Sequence, residues 1–336
     1  MVWMRRAVLL CLLAFFSWGA AGEDLPLIRF SLPPVLEALP IAFAQEWGLF
    51  EEHGVEVELI GITDNQQRSA ALLTGNLDGL MQDVTGAVLD ASVSPGLAIV
   101  AAASSRPQTG SLALAVLSPT SFRVETLAQL CTSSQLIGIL FRSDYEYMLD
   151  RLFEAEFGPG ACSALTSPFS DMLQLATMFG AQWLGAAVLP EPYISYIATY
   201  EPPGGSPVEM RTLAAFDPAD VPPSVVVFQA SYVEDHPEAV AAFLAAIDEA
   251  IERLNGIPRD ELVDQGLDIA VSLFFQAANT SLIGEDVLDA LPIPVFLPHG
   301  ILDEARYDDI VAWMHENGYV YNFPAYADLV RTDFLP

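Results

Sequence analysis

The sequence predicts an α/β fold, and three observations carry that prediction. Short apolar runs rich in Val, Ile, Leu and Phe alternate with helix-length stretches along nearly the whole chain. The alternation opens with a strand–loop–helix–strand unit: a strand at 27–30, a helix stopped by Gly48, a turn stopped by Gly54, and alternating side chains over 55–60. One plan also occurs twice. Residues 75–85 and 180–193 each read as a helix end, a short apolar strand and a polar loop ahead of a helix. Open α/β sheets bind ligands at that strand edge, although any α/β protein can repeat this grammar.

Taken in order, a helix is expected at 65–74, capped by Thr63 or Asp64 and stopped by Gly75, then a buried strand at 77–81 and a helix at 86–91. Strands follow at 98–103 and 112–117, a short helix at 126–130 and a strand at 136–141. A helix at 145–157 is closed by Gly158, Pro159 and Gly160. Next come a helix at 171–179, a strand at 184–189, a helix at 192–200 and a Pro/Gly-rich loop at 201–207. Residues 225–228 read as a strand, and Asp235 with Pro237 opens one long amphipathic helix reaching 254. Helices are expected again at 259–275, 284–290 and 303–316.

Residues 1–22 read as a secretory signal peptide. Arg5 and Arg6 precede an apolar run to Phe16, and small residues lead to Glu23. No cysteine stands at the expected cleavage point, so no lipid anchor is expected and the mature protein should be extracytoplasmic. The 336 residues carry 44 Asp plus Glu against 13 cations, all of them Arg, for a net charge of −31. Such a surface repels nucleic acid and anionic membranes. It suits a saline setting, or reflects solubility and a codon bias toward Arg. Cys131 and Cys162 remain after export. Each precedes a strand of one strand–helix–strand unit, which puts both near one sheet edge, away from the cleft. A disulfide is expected there, with two buried thiols as the alternative.

Four segments together resemble the solute-binding proteins of nitrate, sulfonate, taurine and thiamine-precursor ABC transporters. The first is Pro40 through Ala44, Glu46, Gly48 and Phe50 to Gly54, Val57 and Glu58. Residues 66–87 resemble a second family region, and Gly138 with Ser143, Glu146-Tyr147 and Leu149 resembles a third. Ala186-Ala187-Val188-Leu189-Pro190-Glu191-Pro192-Tyr193 is similar to a family A-A-V-x-x-E-P-Y stretch, and the tail 310–335 to its closing helix. The resemblance implies a type 2 periplasmic binding protein, with two lobes, two interlobe crossings and a ligand cleft between them. Lobe one would be 25–117 plus 225–336 and lobe two 118–224, with crossings near 118–120 and 222–224. Hinge closure over a small-molecule ligand, a periplasmic location, a monomer and an inner-membrane ABC permease as partner are further implications.

Carried over residue by residue, the first site loop is Leu36, Glu37, Ala38 and Leu39, where N–H groups at a helix start favour an acceptor and Glu37 instead favours an amino group. Glu37 is otherwise a solvated cap. The second loop is Asp83, Val84 and Thr85, with Asp83 a ligand contact or a helix cap. The third is Arg142, Ser143, Asp144 and Tyr145, where Arg142 grips an anion or pairs with Asp144. Glu191 and Tyr193 complete the set; Tyr193 and Tyr145 are placed to stack on a planar ligand.

No catalytic set stands out. The histidines lie at 53, 236, 299 and 315 without metal spacing, and no phosphate-cradling glycine loop or Gly-x-Ser-x-Gly elbow occurs. Some relatives of the fold carry pyridoxal phosphate on a lysine; this chain has none, so no such cofactor or Schiff base is possible. No cofactor, metal or nucleic acid is expected. The leading expectation is a binding protein for a thiamine-precursor-like pyrimidine or other nitrogen heterocycle. The alternatives are a sulfonate, taurine or nitrate carrier, a ligand-sensing subunit, and an enzyme using Glu37, Asp83 and Glu191.

Overall fold

The computed structural model describes residues 25–199, 207–274 and 284–335; the expected signal peptide, most of the 201–207 loop and the end of the 259–275 helix lie outside them. Among the described residues the chain forms two sheets with helices packed on them.

The chain begins with β1 (Leu27–Ser31), a single 3-10 turn at Leu36–Ala38, α1 (Leu39–Glu46), α2 (Leu49–Glu52), β2 (Glu56–Leu59), α3 (Asn65–Leu73), β3 (Gly79–Gln82), α4 (Val84–Val93) and β4 (Leu97–Arg106). It passes into β5 (Leu114–Pro119), α5 (Leu127–Thr132), β6 (Leu136–Leu140), α6 (Asp144–Phe157), β7 (Leu165–Phe169), α7 (Met172–Gly180), β8 (Ala186–Pro190), α8 (Tyr193–Thr199) and β9 (Met210–Ala215). It returns through β10 (Ser224–Gln229), α9 (Ala230–Asp235), α10 (Pro237–Gly256), α11 (Leu267–Phe274), α12 (Glu285–Ala290), β11 (Val295–Gly300), α13 (Glu304–Glu316) and α14 (Tyr326–Leu329).

The first sheet runs β11-β4-β10-β3-β1-β2, with β1 parallel to β2 and β3, and β10 antiparallel to β3 and β4. The second runs β7-β6-β8-β5-β9, with β6 parallel to β7 and β8, and β5 antiparallel to β8 and β9. Among the described residues the chain changes sheets twice, between β4 and β5 and between β9 and β10.

Three expectations are corrected here. Residues 114–117, assigned to the first lobe, belong to the second sheet, where Leu114 pairs with Pro190 and Leu117 with Ala187. The first crossing therefore falls between Arg106 and Leu114, not at 118–120; two adjacent apolar strands do not reveal from sequence which sheet each joins. The single helix expected at 235–254 is two helices. His236, with φ −135°, ends α9 and caps α10, so Asp235 is the last residue of the first helix and not the cap of the second. Strands β9 and β11 were not expected, whereas β7 is the strand expected after Cys162. β7 carries Pro168 at a sheet edge, the position that tolerates it, and the half-exposed β9 has no clear alternation.

The first unit is built around one long helix and a cluster of aromatic rings. α10 buries Val240, Phe243, Leu244, Ile247 and Ile251 on one face, and Phe243 meets Phe30, Phe50 and Phe228 with ring centroids 4.8–5.6 Å apart. Each such side chain contributes about 1.5–3 kcal/mol by leaving water. Gly79 lets β3 lie against this cluster: a Cβ there would come within 2.8 Å of the Phe228 ring and 2.9 Å of the Val227 carbonyl oxygen.

Cys131 at the end of α5 and Cys162 before β7 form a disulfide, their Cα atoms 5.2 Å apart. Both precede parallel strands, so the bridge lies at the sheet edge away from the loops at 83–85 and 142–145. Among the described residues, no helix is long and apolar enough to cross a membrane.

Candidate functional site

The loops leaving the C-terminal ends of β3, β6 and β8 gather where the two units meet. Beside them the two crossing segments enclose a cavity of about 640 Å³. Glu37, Asp83, Asp144 and Tyr145 of the expected site residues line it. Glu37 reaches it from the 3-10 turn and accepts a hydrogen bond from Ser105 Oγ at 3.1 Å; burial raises its pKa. The phenol of Tyr145 is held neutral, chiefly by burial and then by the Glu37 and Asp83 charges.

Asp83 and Asp144 form the centre of the arrangement. Asp83 caps α4 by accepting the Gly86 N–H at 2.8 Å, and its second oxygen accepts the Asp144 N–H at 3.1 Å. Asp144, the first residue of α6, accepts from Val84 N–H at 3.1 Å, Thr85 N–H at 2.9 Å and Thr85 Oγ1 at 2.5 Å. Each carboxylate thus serves the helix start of the opposite unit. Burial, and then the facing Asp83 charge, push the Asp144 carboxyl up to about 7; burial likewise raises Asp83. The N–H donors lower both, since they favour the charged form.

The remaining expected residues lie elsewhere. Leu36, Ala38 and Leu39 are buried in the apolar core, because the 3-10 turn directs only Glu37 to the cavity side. Val84 and Thr85 are buried and their N–H groups are taken by Asp144. Ser143 caps α6, its Oγ accepting from Glu146 N–H and donating to the Leu140 carbonyl at 2.6 Å. Arg142 is exposed in the left-handed region with φ 53°, its guanidinium 4.9 Å from the Phe141 ring centroid and 5.1 Å from that of Tyr319. It neither faces the cavity nor pairs with Asp144. Glu191 is buried and closed on its own helix, accepting from Ser195 N–H and Ser195 Oγ, both at 3.0 Å; burial pushes it up to about 7. Tyr193 is fully buried within the core.

The sequence reading missed Arg68. It is buried on α3 and donates to the Ile62 carbonyl at 2.9 Å and Asn65 Oδ1 at 2.7 Å. Burial lowers its pKa while the Asp83, Asp90 and Asp64 charges oppose the drop. Arg68 braces the loop that makes a second bridge to the other unit. There Thr63 Oγ1 donates to Asp171 at 2.7 Å, Ser170 Oγ to Asp64 at 2.6 Å, and Asn65 N–H to the Ser170 carbonyl at 3.0 Å. The other missed wall is made by the end of β4 and the crossing segments, which bring Ser105, Arg106, Asp217 and Pro222 to the cavity, with Arg306 from α13. An arginine on a helix reads as solvated, and the crossing segments carry no motif. Among the described residues no group of His, Cys, Asp and Glu is arranged to hold a metal ion.

No family model matches the chain, and no curated protein matches it in sequence. Solved structures do. The alkanesulfonate-binding protein SsuA from Xanthomonas axonopodis pv. citri, bound to MOPS, superposes with TM-score 0.68 at 14% identity, covering 92% of this chain and 99% of that one. The periplasmic nitrate-binding protein NrtA from Synechocystis PCC 6803 gives 0.66 at 14%, covering 93% and 87%. The Candida albicans CA3427 gene product, described as having the generic periplasmic binding protein fold, gives 0.61 at 14%, covering 92% and 97%. The chain has the periplasmic binding protein fold expected from its sequence.

Proposed function

We propose that this protein is an extracytoplasmic solute-binding protein that captures a small organic molecule between its two units and delivers it to an ABC permease. The observation that carries this reading is the cavity itself. At about 640 Å³ it has the size of a small-molecule site, and its walls come from both sheet units and both crossings. A solute held there favours the closed arrangement of the units, which is the signal a permease reads.

The polar groups facing the cavity from the loops are carboxylates: Glu37, Asp83 and Asp144. Desolvating them around an anion is costly, whereas a ligand carrying N–H groups gives them donors. Tyr145 offers a ring face. The favoured ligand is a nitrogen heterocycle of the thiamine-precursor pyrimidine type. A sulfonate or nitrate ligand is the second reading; Arg106 in the cavity wall and the fold likeness to SsuA and NrtA favour it. Delivery to a permease makes residues 1–22 an export signal.

Thermal-shift screening of both ligand classes tests the reading, since a bound solute adds about 2.7 kcal/mol at a hundredfold excess over its dissociation constant. Stabilisation by a solute recovered unchanged is expected. Conversion of the solute to product would establish the enzyme reading instead.

A further inference from the structure

We propose that Asp144 is a built-in counter-anion that fixes the specificity of the cavity: its carboxylate fills the place at the start of α4 that a ligand's oxyanion would take. This inference rests on the solute-binding reading and names the class of ligand excluded.

Three donors of the first unit converge on this one side chain of the second: Val84 N–H, Thr85 N–H and Thr85 Oγ1, at 3.1, 2.9 and 2.5 Å. α4 is ten residues long; in its first turn the Gly86 N–H is capped by Asp83, which leaves the Val84 and Thr85 N–H groups directed outward at the positive dipole end. Two adjacent backbone N–H groups and a hydroxyl make the donor set that holds a sulfate or sulfonate at a helix start. Here the acceptor is covalently part of the chain, is 4% exposed, and stands in the cavity wall.

A free oxyanion must displace a tethered carboxylate whose local concentration is far above that of any solute. On the loop side the ligand is then left with acceptors, the outer lone pairs of Asp83 and Asp144 and the carboxyl of Glu37, while Arg106 and Arg306 stand elsewhere in the cavity wall. The same contact spans the two units, so ligand selection and closure share one residue.

The test measures sulfate and methanesulfonate binding, at constant ionic strength with chloride as the balancing anion, by calorimetry and by melting temperature. The proteins are wild type, Asp144→Ala, Asp144→Ser and Asp144→Asn. Removing the carboxylate vacates the donors, so Asp144→Ala should bind sulfate at least tenfold more tightly than wild type and recover melting temperature as sulfate is added. Asp144→Asn keeps the space filled and should show no gain. Should Asp144→Ala not fold without sulfate, its recovery on sulfate addition and the behaviour of Asp144→Ser give the same reading. Folded Asp144→Ala and Asp144→Ser proteins with no gain, or an equal gain in Asp144→Asn, would overturn the proposal. Failure of wild type to bind any solute would contradict the solute-binding reading alone, because the sulfate gain is read on the variants.

Discussion

Asp83 and Asp144 cap each other's helices across the boundary between the two sheets. Asp83, at the start of α4, accepts the Asp144 N–H, while Asp144, at the start of α6, accepts the Val84 and Thr85 N–H groups. The exchange places two buried carboxylates side by side, an arrangement tolerable only because helix-start donors surround both. It couples the geometry of the cavity wall to the contact between the units.

Removing Asp83 therefore disturbs both helices. Asp83→Ala removes the cap of α4 and strips the Asp144 N–H of its acceptor. A loss of about 1–3 kcal/mol is expected in a denaturant titration. Gly86→Ala should act in the same direction, because a Cβ there would come within 2.6 Å of Asp83 Oδ1. Unchanged stability in both variants would refute the reciprocal cap.

Stability should depend on pH with a definite sign. Burial raises Asp144 and Glu191 to about 7 and Asp90 to about 6 in the folded protein, above their ordinary values near 4. The folded state holds these protons more tightly, so their contribution is complete below about pH 4 and is lost as the pH rises through about 6–7. The melting temperature should fall between pH 5.5 and 8. Glu191→Gln, which keeps an acceptor for Ser195, should flatten that slope. A melting temperature that rises over the same interval would contradict these assignments.

The disulfide should act as a staple. Cys131 and Cys162 are 31 residues apart, and in the chain-entropy account a closed loop of that length is worth about 3–4 kcal/mol. Alkylation and mass spectrometry of the oxidised protein should find no free thiol. Cys131→Ala with Cys162→Ala should lower the denaturation midpoint without changing ligand affinity, since the bridge lies away from the cavity. An affinity loss would place it nearer the site than the structure does.

The alternation of elements was legible because buried strands and glycine-stopped helices leave local marks: Gly48, Gly54, Gly75 and Gly158 all end helices or turns as expected. Sheet membership was not. Leu114–Pro119 reads like any buried strand, and only its pairing with β8 and β9 assigns it. At the site, loop positions were legible but side-chain directions were not. Glu37 and Leu36 are neighbours in one 3-10 turn, yet one lines the cavity and the other enters the core. Arg142 has the charge expected of an anion grip but is stacked on Phe141 and Tyr319. Arg68, the buried cation near the site, carries no sequence mark: its hydrogen bonds go to Ile62 and Asn65 close by in the chain, in a stretch that reads as an ordinary solvated helix start.

Closure should be visible in solution. The bridges Thr63–Asp171 and Asp64–Ser170 join the units beside the Asp83–Asp144 contact. Thr63→Val combined with Asp171→Ala should loosen them. Small-angle scattering should then give a larger radius of gyration than wild type, and saturating ligand should reduce it. Identical scattering for the variant and for wild type with and without ligand would argue for one rigid body.

The most direct test of the central claim is calorimetric titration of wild type and Glu37→Gln with amino-bearing pyrimidines, methanesulfonate, taurine and nitrate. A nitrogen heterocycle should bind wild type most tightly, and Glu37→Gln should weaken it about tenfold or more, through loss of a charged acceptor facing the cavity. Tight binding of nitrate or methanesulfonate to wild type, unaffected by Glu37→Gln, would contradict it.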